Sequence, residues 1–530
     1  MRTTAIFIFT VFIGLVASAQ TEETFITSFD PNPQNKFQAD KGYLIWSIGN
    51  YVYVLSGFVK NSLGDRKNQL FMVDADTRQI VKEIEFEGPQ GDISVTAYWV
   101  TSGQYILLTG EWRDHNAGGQ VRMFLTKLTP NLETVWINYY PDMSTNFIYS
   151  EGIAETEDGD YIIYLQESPP PAPHATGELS VIKTDTSGII LLHKMLTDTF
   201  AQTFGYGDLT PTDDGHFLIS SYAIGYYYHP ILGTYRDIAI LHKIDAEANQ
   251  VWTKTLNYAK FPLQEPKSVS LAGGGGAIAW TKDTLTNDPE IAWNFILMHG
   301  IDSNGSLTWT REWNKWPYRT IYNIRRANNG NILGAGYHGT GLPTKGKGWL
   351  FRMADTGELI WERHYSDSLL RPWSPHLELL DLCEMADGRI AATGIVFDSN
   401  GVSEPWNPNV VLLVIDADGC LEPGCTGQTQ YVTSVLEPIF KLPNLPILSI
   451  SPNPAAGPVS ISLPESLTSS SRAHQLRCYA PNGQLLRRFD WPSGTPSLRI
   501  DDWQTDGICY LFLFDQRGYP IASGKMVFHR

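Results

Sequence analysis

The sequence predicts an all-β protein: a seven-bladed β-propeller followed by a small C-terminal antiparallel β-sandwich. Three observations lead to this prediction. The 530 residues include 16 Trp, 25 Tyr and 23 Phe together with 46 Gly and 32 Pro, a composition typical of short strands and frequent turns. A turn-and-strand pattern recurs seven times through most of the chain. The last eighty-odd residues keep the strand pattern but lose that period.

The first element is a leader. In "MRTTAIFIFTVFIGLVASAQ", the basic residue Arg2 precedes an apolar stretch that ends at Val16 and the small-residue site Ala17–Ala19. We therefore predict a secretory signal peptide over residues 1–19, with an uncleaved membrane anchor as the alternative. No later apolar run is long enough to span a bilayer, so we expect the mature protein to have no membrane span.

The repeats follow the leader. Each begins with a short turn that leads into an apolar strand, as in "GNYVYVLSG" and "SGQYILLTG". Marker glycines recur at intervals of 54 to 60 residues: Gly49, Gly103, Gly159, Gly215, Gly275, Gly330 and Gly388. A second apolar strand and a tight polar turn follow each marker, and an expected core tryptophan recurs after the turn at Trp136, Trp252, Trp309 and Trp361. Four short strands per repeat predict one propeller blade each over residues 20–425, with an open β-solenoid as the competing architecture.

The two ends of the repeat region favour a closed ring. The last repeat has three clear strands, but its final segment "CLEPGC" is a poor fourth strand. A strand-like segment without a partner, residues 24–29, precedes the first repeat. Propellers commonly close by lending an N-terminal strand to the final blade. We therefore predict that residues 24–29 complete the last blade.

Three of the polar turns share an Asp-x-x-Gly pattern: Asp185–Gly188, Asp302–Gly305 and Asp416–Gly419. The pattern resembles the start of a calcium-binding loop, but an EF-hand needs Glu at its twelfth position, which Trp313 and Gly427 occupy in the second and third examples. We interpret the pattern as turn chemistry, because Gly accepts the positive φ of tight hairpins.

Charge and motifs exclude several functions. A formal charge of −17 argues against binding to nucleic acid or to anionic lipid. The chain has no His-x-His pair, no His-Glu-x-x-His run and no Gly-x-Ser-x-Gly elbow, and its Gly-x-Gly-x-x-Gly match at Gly334 lies in a predicted strand without a following helix. We expect no metal and no cofactor, and no catalytic residue can be named, although an enzyme remains possible.

The long loops of a four-stranded meander emerge at one end of each blade, and here they are rich in aromatic residues. Aromatic residues on a rigid scaffold are typical of glycan or protein contacts, although they can instead cover the blade ends. The predicted ligand-binding residues are Trp112, Tyr226, Tyr227, Tyr228, Trp313, Trp316, Trp373 and Trp406. We predict binding of a glycan or protein at this face. The alternatives are a hydrolase or lyase of extracellular polysaccharide, which carboxyl groups clustered at the centre would favour, and a structural or adhesion role.

The five cysteines are too few for a disulfide scaffold. Cys420 and Cys425 bracket "LEPG", and an exported protein meets an oxidising compartment, so we predict a disulfide between them. Cys478 and Cys509 lie in strand-like segments and either pair or stay buried, and Cys383 is expected as a core thiol.

Residues 426–446 are polar, contain proline and predict a linker. From residue 447 strands restart without the repeat, separated by Pro-Asn-Gly and Gln-Arg-Gly turns. This pattern predicts the small antiparallel sandwich over residues 447–530. These residues hold eight basic and six acidic side chains, so the excess acid lies in the preceding repeats and linker.

This segment resembles a known family at several ordered motifs. "SPNPAAGPVSI", "YAPNGQLLRRF", "DGICYLFLFDQRG" and "GKMVFHR" are similar to the type A C-terminal sorting domain of cargo for the type IX secretion system. The matching residues are Pro452, Asn453, Pro454, Gly483, Gly507, Tyr510 and Lys525. The chain departs from the family pattern by inserting Cys509 into the Gly-Ile-Tyr strand and by ending in Phe-His-Arg.

The resemblance implies partners and a location. It implies a Gram-negative source, export to the periplasm, and recognition of the folded domain by the type IX secretion machinery and its surface C-terminal signal peptidase. The mature cargo would be secreted or held at the outer cell surface. The preceding repeats resemble uncharacterised secreted β-propeller repeat proteins, which implies no activity.

Overall fold

The structure, a computed structural model, describes residues 24–29, 41–59, 66–88, 92–114, 120–140, 147–168, 178–196, 203–229, 234–259, 265–283, 294–313, 319–339, 346–367, 376–398, 407–421, 424–426, 429–432, 446, 448–453, 457–464, 467, 474–479, 485–492, 494–501, 507–514 and 520–528. The predicted leader, residues 1–19, lies outside them. Strands dominate the described residues, and no helix there is long and apolar enough to cross a membrane.

Five sheets share one design, in which four strands consecutive in the chain pair antiparallel in chain order. The first strand of the chain, β1 (Phe25–Phe29), pairs elsewhere. Unit 1 contains β2 (Lys41–Ile48), β3 (Tyr51–Val59), β4 (Arg66–Asp74) and β5 (Gln79–Phe86). Unit 2 contains β6 (Ile93–Val100), β7 (Ile106–Asp114), β8 (Gln120–Leu128) and β9 (Thr134–Tyr140). Unit 3 contains β10 (Phe147–Glu155), β11 (Tyr161–Ser168), β12 (Glu178–Thr184) and β13 (Ile190–Met195).

Units 4 and 5 repeat the design. Unit 4 contains β14 (Thr203–Pro211), β15 (Phe217–His229), β16 (Thr234–Ile244) and β17 (Gln250–Ala259). Unit 5 contains β18 (Lys267–Ser270), β19 (Gly276–Asp283), β20 (Asn294–Ile301) and β21 (Leu307–Trp313), with a short 3-10 turn, Ala272–Gly274, between its first two strands.

A nine-stranded sheet holds two further meanders, joined by one parallel bridge between Gly346 and His376. Unit 6 contains β22 (Arg319–Arg326), β23 (Ile332–Gly339), β24 (Gly346–Met353) and β25 (Leu359–Asp367). Unit 7 contains β26 (His376–Glu384), β27 (Ile390–Asp398), β28 (Asn407–Ile415) and β1. The N-terminal strand pairs antiparallel with β28, from Phe25 opposite Val414 to Phe29 opposite Val410. The predicted linker contains β29 (Thr429–Val432), which pairs parallel with β25.

Apolar side chains fill the contact between each unit and the next. Strand β11 is buried along its whole length because neighbouring units cover both of its faces, whereas the outer strand β13 alternates half-buried and exposed residues. Six hydrophobic clusters join consecutive units. A seventh joins the last unit to the first, with Phe25 and Val410 of unit 7 packed with Ile45 and Val54 of unit 1.

The Asp-x-x-Gly turns are hairpin turns in the structure, as the turn interpretation predicts. Asp185 Oδ1 accepts the backbone N–H groups of Ser187 and Ile189 at 2.9 and 2.8 Å, and Gly188 has a φ of +84°. Asp302 and Asp416 accept backbone N–H groups in their own turns in the same way. The aspartate side chains stabilise the turns themselves.

The recurring tryptophans join one unit to the next. The indole N–H of Trp252 donates to Ser303 O at 2.8 Å, and that of Trp309 donates to Asp355 O at 2.7 Å. Each acceptor lies in the polar turn of the following unit. Trp136, Trp252 and Trp309 are half-buried, so the expectation of core tryptophans is wrong for these three, whereas Trp361 is buried.

The C-terminal residues form two antiparallel sheets. Their strands are β30 (Ser449–Ser451), β31 (Val459–Ser462), β32 (His474–Tyr479), β33 (Leu485–Trp491), β34 (Ser497–Ile500), β35 (Gly507–Phe514) and β36 (Pro520–Phe528). One sheet has the order β30-β31-β34 and the other β33-β32-β35-β36. Both sheets contribute to one hydrophobic cluster, with Ile461 and Ile500 from the first and Leu511 and Met526 from the second.

Candidate functional site

The first strands of the seven units meet around a common centre. Contacts run along the series β6, β10, β14, β18, β22, β26 and β2, and the Tyr98 hydroxyl of β6 donates to Ile45 O of β2 at 2.8 Å. Register shifts interrupt six of these inner strands. A β-bulge re-aims the side chains around it. Charged side chains of non-neighbouring units therefore come close together at the centre.

One such group, the arginine cluster, consists of Tyr98, Asp208, Asn323, Arg325 and Asp381. Arg325 binds both oxygens of Asp381, with Nε to Oδ1 and Nη2 to Oδ2 at 3.2 Å each. Asn323 Nδ2 donates to Asp381 Oδ1 at 2.7 Å, and the backbone N–H of Ile45 donates to Asp381 Oδ2 at 3.1 Å. The guanidinium carbon of Arg325 lies 5.2 Å from the ring centre of Tyr98.

The charges of Arg325 and Asp381 compensate each other. The Asp381 side chain is fully buried, and its oxygens accept hydrogen bonds from units 1 and 6 as well as from its own strand. Although burial opposes the charged form, Asp381, Tyr98 and Asp208 raise the pKa of Arg325 well above its ordinary value. Burial raises the pKa of Tyr98, which stays a phenol. This cluster is a joint between units 6, 7, 1 and 2.

A second group, the glutamate cluster, consists of Glu111, Glu151, Glu265 and Lys267, from units 2, 3 and 5. Lys267 Nζ lies 2.9 Å from Glu265 Oε2 and donates to Gly207 O at 3.2 Å. Burial raises the pKa of Glu151 well above its ordinary value, and the carboxylates of Glu265 and Glu111 raise it further against the opposing effect of Lys267. Three carboxyl groups therefore share one ammonium group.

Asp208 connects the two clusters electrostatically. Burial raises its pKa above the ordinary value, while Arg325 and Lys267 oppose that effect. Burial lowers the pKa of Lys267, but the carboxylates of Glu265 and Asp208 outweigh burial, and the pKa lies above its ordinary value. Lys267 is therefore an ammonium ion paired with the Glu265 side chain.

The glutamate cluster lies beside the segments that the sequence predicts as long loops. Glu111 lies near the end of β7, and Glu265 precedes the first residue of β18 by two positions. Together these residues place a carboxyl group with a raised pKa, that of Glu151, near a second carboxyl group that pairs with Lys267. Two carboxyl groups in different protonation states are the general acid and the base or nucleophile that glycosidic bond cleavage requires. Among the described residues, no group of His, Cys, Asp and Glu is arranged to hold a metal ion.

The structure buries two of the predicted ligand-binding aromatic residues. Trp112 is 6% exposed and packs edge-on against Tyr139, with ring centres 5.1 Å apart. Trp313 is 5% exposed and packs edge-on against Trp349, with ring centres 5.8 Å apart. Both rings pack against apolar side chains at contacts between units, so neither offers a free face to a ligand.

The other predicted aromatic residues are not brought together by the described structure. Tyr226, Tyr227 and Tyr228 belong to β15, with Tyr227 opposite Arg236 and Tyr228 opposite Tyr235 in β16, and their side chains lie outside the description. Trp316, Trp373 and Trp406 lie outside the described residues.

Some of the residues of the sorting motif do come together. Asn453 Nδ2 donates to Lys525 O at 2.8 Å, and Tyr510 of β35 lies opposite Lys525 of β36. Gly507 lies opposite Phe528, and Pro452 is exposed. Pro454 and Gly483 lie outside the described residues. The structure joins Cys420 and Cys425 in a disulfide with a Cα–Cα distance of 5.6 Å.

Sequence reasoning missed both central clusters, although a signal exists. The inner strand of five units carries a charged residue five to eight positions before the marker glycine: Glu151, Asp208, Lys267, Arg325 and Asp381. A charged residue that recurs inside an apolar strand is the pattern to seek, because isolated charges are seldom buried.

Comparisons with known proteins establish neither a family nor a function. No family model and no curated protein matches the chain. Among solved structures, a protein of unknown function from Dyadobacter fermentans DSM 18053 shares 10% identity over 75% of this chain and 99% of its own, with a TM-score of 0.40. A PL25 ulvan lyase bound to -[GlcA(1-4)Rha3S]- shares 9% identity over 72% and 96%, with a TM-score of 0.45.

An α-L-arabinanase from Penicillium chrysogenum, complexed with arabinobiose, shares 10% identity over 61% of this chain and 93% of its own, with a TM-score of 0.38. At these identities and TM-scores, no residue or activity transfers to this chain. The chain is an all-β protein with a propeller-like set of antiparallel sheets.

Proposed function

We propose that this chain is an exported, seven-bladed β-propeller that hydrolyses a glycosidic bond in an extracellular polysaccharide and carries a C-terminal sorting sandwich. In this proposal each four-stranded unit is one blade, and β1 closes the ring as the outer strand of unit 7. The hydrophobic cluster shared by units 7 and 1 supports closure. The hydrophobic cluster common to the two C-terminal sheets supports the sandwich.

One observation carries the catalytic proposal: burial and the carboxyl groups of Glu265 and Glu111 raise the pKa of Glu151 well above its ordinary value, while Lys267 Nζ lies 2.9 Å from Glu265 Oε2. Glu151 would donate its proton to the oxygen of the departing sugar. Glu265 would activate water or attack the sugar carbon, depending on the distance between the carboxyl groups when substrate is bound. A buried carboxyl group kept protonated near neutral pH is the usual device for the acid step.

Charge favours hydrolysis over the lyase reaction within the polysaccharide alternative. A lyase that acts on a uronic acid must neutralise the sugar carboxylate. The two central cations already have carboxylate partners, Lys267 with Glu265 and Arg325 with Asp381. An added anionic group would meet an excess of carboxylates, so the proposed substrate is a polysaccharide without acidic groups at the cleavage point.

The test uses the mature chain with a panel of neutral, amino and acidic polysaccharides, and measures the release of reducing ends. With the substrate that is cleaved, Glu151→Gln should lower the rate by about 10²–10⁴-fold, the usual contribution of a general acid. Glu155→Gln is the matched control, because Glu155 lies in the same strand but hydrogen-bonds Ser102. Full activity of Glu151→Gln, or no cleavage of any polysaccharide, would reject the catalytic role.

Binding of a glycan or protein without catalysis is the second candidate function. The aromatic residues of the long-loop segments favour it, among them Trp316, Trp373 and Trp406. A glycan array with the mature chain distinguishes the two functions. Retention of a glycan that is never cleaved, with equal affinity in Glu151→Gln, would support binding alone.

The proposal includes export by the type IX secretion machinery and processing by its surface C-terminal signal peptidase. The contact of Asn453 with Lys525, and the pairing of Tyr510 with Lys525, support a folded unit built around the motif residues. A chain that ends at residue 446 should fold but remain in the periplasm of a Gram-negative host with this secretion system. Cell fractionation measures this, and normal surface delivery of the shortened chain would contradict the sorting assignment.

A further inference from the structure

Two thiols lie side by side in the core of the C-terminal sheets. In the antiparallel pair of β32 and β35, Cys478 lies opposite Leu511, and Tyr479 lies opposite Tyr510. Cys509 is therefore the diagonal neighbour of Cys478, two positions from Leu511 and on the same face of the sheet. The described structure contains both as free, buried thiols within one hydrophobic cluster.

In the folded core, the interaction between the two thiols lowers the pKa of Cys509 and raises the pKa of Cys478. A thiolate is the nucleophile in thiol–disulfide exchange, and either cysteine can supply it before the core closes. A β-bulge at Cys478 and Tyr479 interrupts the register with β33, and a bulge increases local twist.

We propose that Cys478 and Cys509 form a second disulfide, which joins β32 to β35, when the chain folds in an oxidising compartment. This inference does not rest on glycan cleavage. Diagonal neighbours lie about 7–8 Å apart between Cα atoms, and a disulfide needs about 4.4–6.8 Å, so the strands must approach slightly. The bulge beside Cys478 provides a place where the backbone can adjust.

The oxidant is the disulfide of oxidised glutathione or of a dithiol oxidoreductase. The thiolate of one of the two cysteines attacks that disulfide, forms a mixed disulfide and releases one thiolate. The other cysteine then loses its proton and attacks the sulfur of the first, which forms the new bond and releases the second thiolate. Two electrons pass to the oxidant and two protons leave the cysteines. Because folding buries both sulfur atoms, the reaction precedes closure of the core, and the product resists reduction afterwards.

Cys383 provides the contrast within the same chain. Burial first, and then the carboxylate of Asp381, raise the pKa of the Cys383 thiol to about 12. Its interaction partners include the hydroxyl of Ser47 and no other cysteine in the described structure. We therefore expect Cys383 to remain a thiol when the other four cysteines are oxidised.

The test refolds the full mature chain in a buffer of reduced and oxidised glutathione, unfolds it in guanidinium, and labels free thiols with a maleimide of known mass. One label per chain is expected, located at Cys383 by peptide mapping, together with a cross-linked peptide that contains Cys478 and Cys509. Three labels, or a bond from Cys383 to either residue, would overturn the proposal.

Single substitutions sharpen the result. Cys478→Ser and Cys509→Ser should each show two labels in place of one, because the remaining partner becomes free. Cys383→Ser should show none. If a serine variant fails to fold, the peptide map of the wild-type chain still decides between one and three free thiols.

Discussion

The two central clusters use similar residues to different ends. In the arginine cluster, Asp381 is fully buried, and Arg325 and Asn323 donate to its carboxylate at hydrogen-bond distance. In the glutamate cluster, three carboxyl groups share the single ammonium group of Lys267, and burial and the neighbouring carboxyl groups raise the pKa of Glu151. A compensated buried charge stabilises a joint, whereas an uncompensated one costs stability and is retained where function needs it.

The largest effect should come from removing β1, the strand that closes the proposed ring. Deleting residues 24–29 removes β1 from unit 7 and the buried ring of Phe25 from the contact with unit 1. We expect a loss of about 5 kcal/mol or more, because a buried Phe alone contributes about 3–5 kcal/mol. Urea unfolding of the mature chain measures this loss.

The control deletes the four residues of β29, which adds to the outer edge of unit 6 without linking the chain ends. This deletion should change stability far less. Equal midpoints for the wild-type chain and the chain without residues 24–29 would contradict the closed ring.

The next effect tests whether the arginine cluster is a structural joint. Asp381→Ala leaves Arg325 without its carboxylate and removes the acceptor of Ile45 N–H and Asn323 Nδ2. We expect a loss of about 3–5 kcal/mol, the usual result of breaking a buried ion pair. Glu247→Ala, which breaks an ion pair of Lys183 with a mostly exposed partner, should cost less than about 1 kcal/mol in the same urea titration. Comparable losses from both variants would mean that the arginine cluster is no stronger than a surface pair.

Substitution in the glutamate cluster should raise the free energy of unfolding, whereas Asp381→Ala in the arginine cluster should lower it. The folded pKa of Glu151 is raised, so its contribution to stability is complete below the unfolded pKa and is lost as the pH rises through the folded pKa. Glu151→Gln removes this loss of stability at high pH. The variant should be more stable at pH 7 by about 1.4 kcal/mol for each pH unit by which the folded pKa of Glu151 exceeds its unfolded pKa. The gain should vanish near pH 4.

Thermal unfolding between pH 4 and 8 measures the gain, with Glu155→Gln as the control on the same strand. A destabilised Glu151→Gln at pH 7 would place Glu151 among the structural residues and remove the contrast between the clusters.

The smallest effect concerns the tryptophan hydrogen bonds that link neighbouring units away from the centre. Trp309→Phe keeps an aromatic ring but loses the hydrogen bond to Asp355 O. We expect a loss of about 1 kcal/mol, the net value of one hydrogen bond, in urea unfolding. A loss as large as that of Asp381→Ala would show that the outer joints matter as much as the arginine cluster.

Much of the strand pattern was predictable because it is local. Marker glycines, Asp-x-x-Gly turns and apolar strands are defined by residues that lie close together in the sequence. The second strands of units 1, 2 and 3, which are β3, β7 and β11, begin close to Gly49, Gly103 and Gly159. The role of the tryptophans was not predictable, since Trp309 donates to Asp355, 46 residues away in the next unit. Long-loop aromatic residues also suggested a binding surface, yet Trp112 and Trp313 are buried between units.

The sequence by itself determined the repeat, the four strands of each unit and the separate C-terminal segment, because turn chemistry and apolar alternation act over neighbouring residues. Only the tertiary structure decided which charges meet. Ile45 and Asp381 are 336 positions apart, and Glu151 of β10 interacts with Glu265, which lies just before β18, only because units 3 and 5 approach each other. Whether a buried carboxyl group is paired, as in Asp381, or has a raised pKa, as in Glu151, depends on partners that are distant in the sequence.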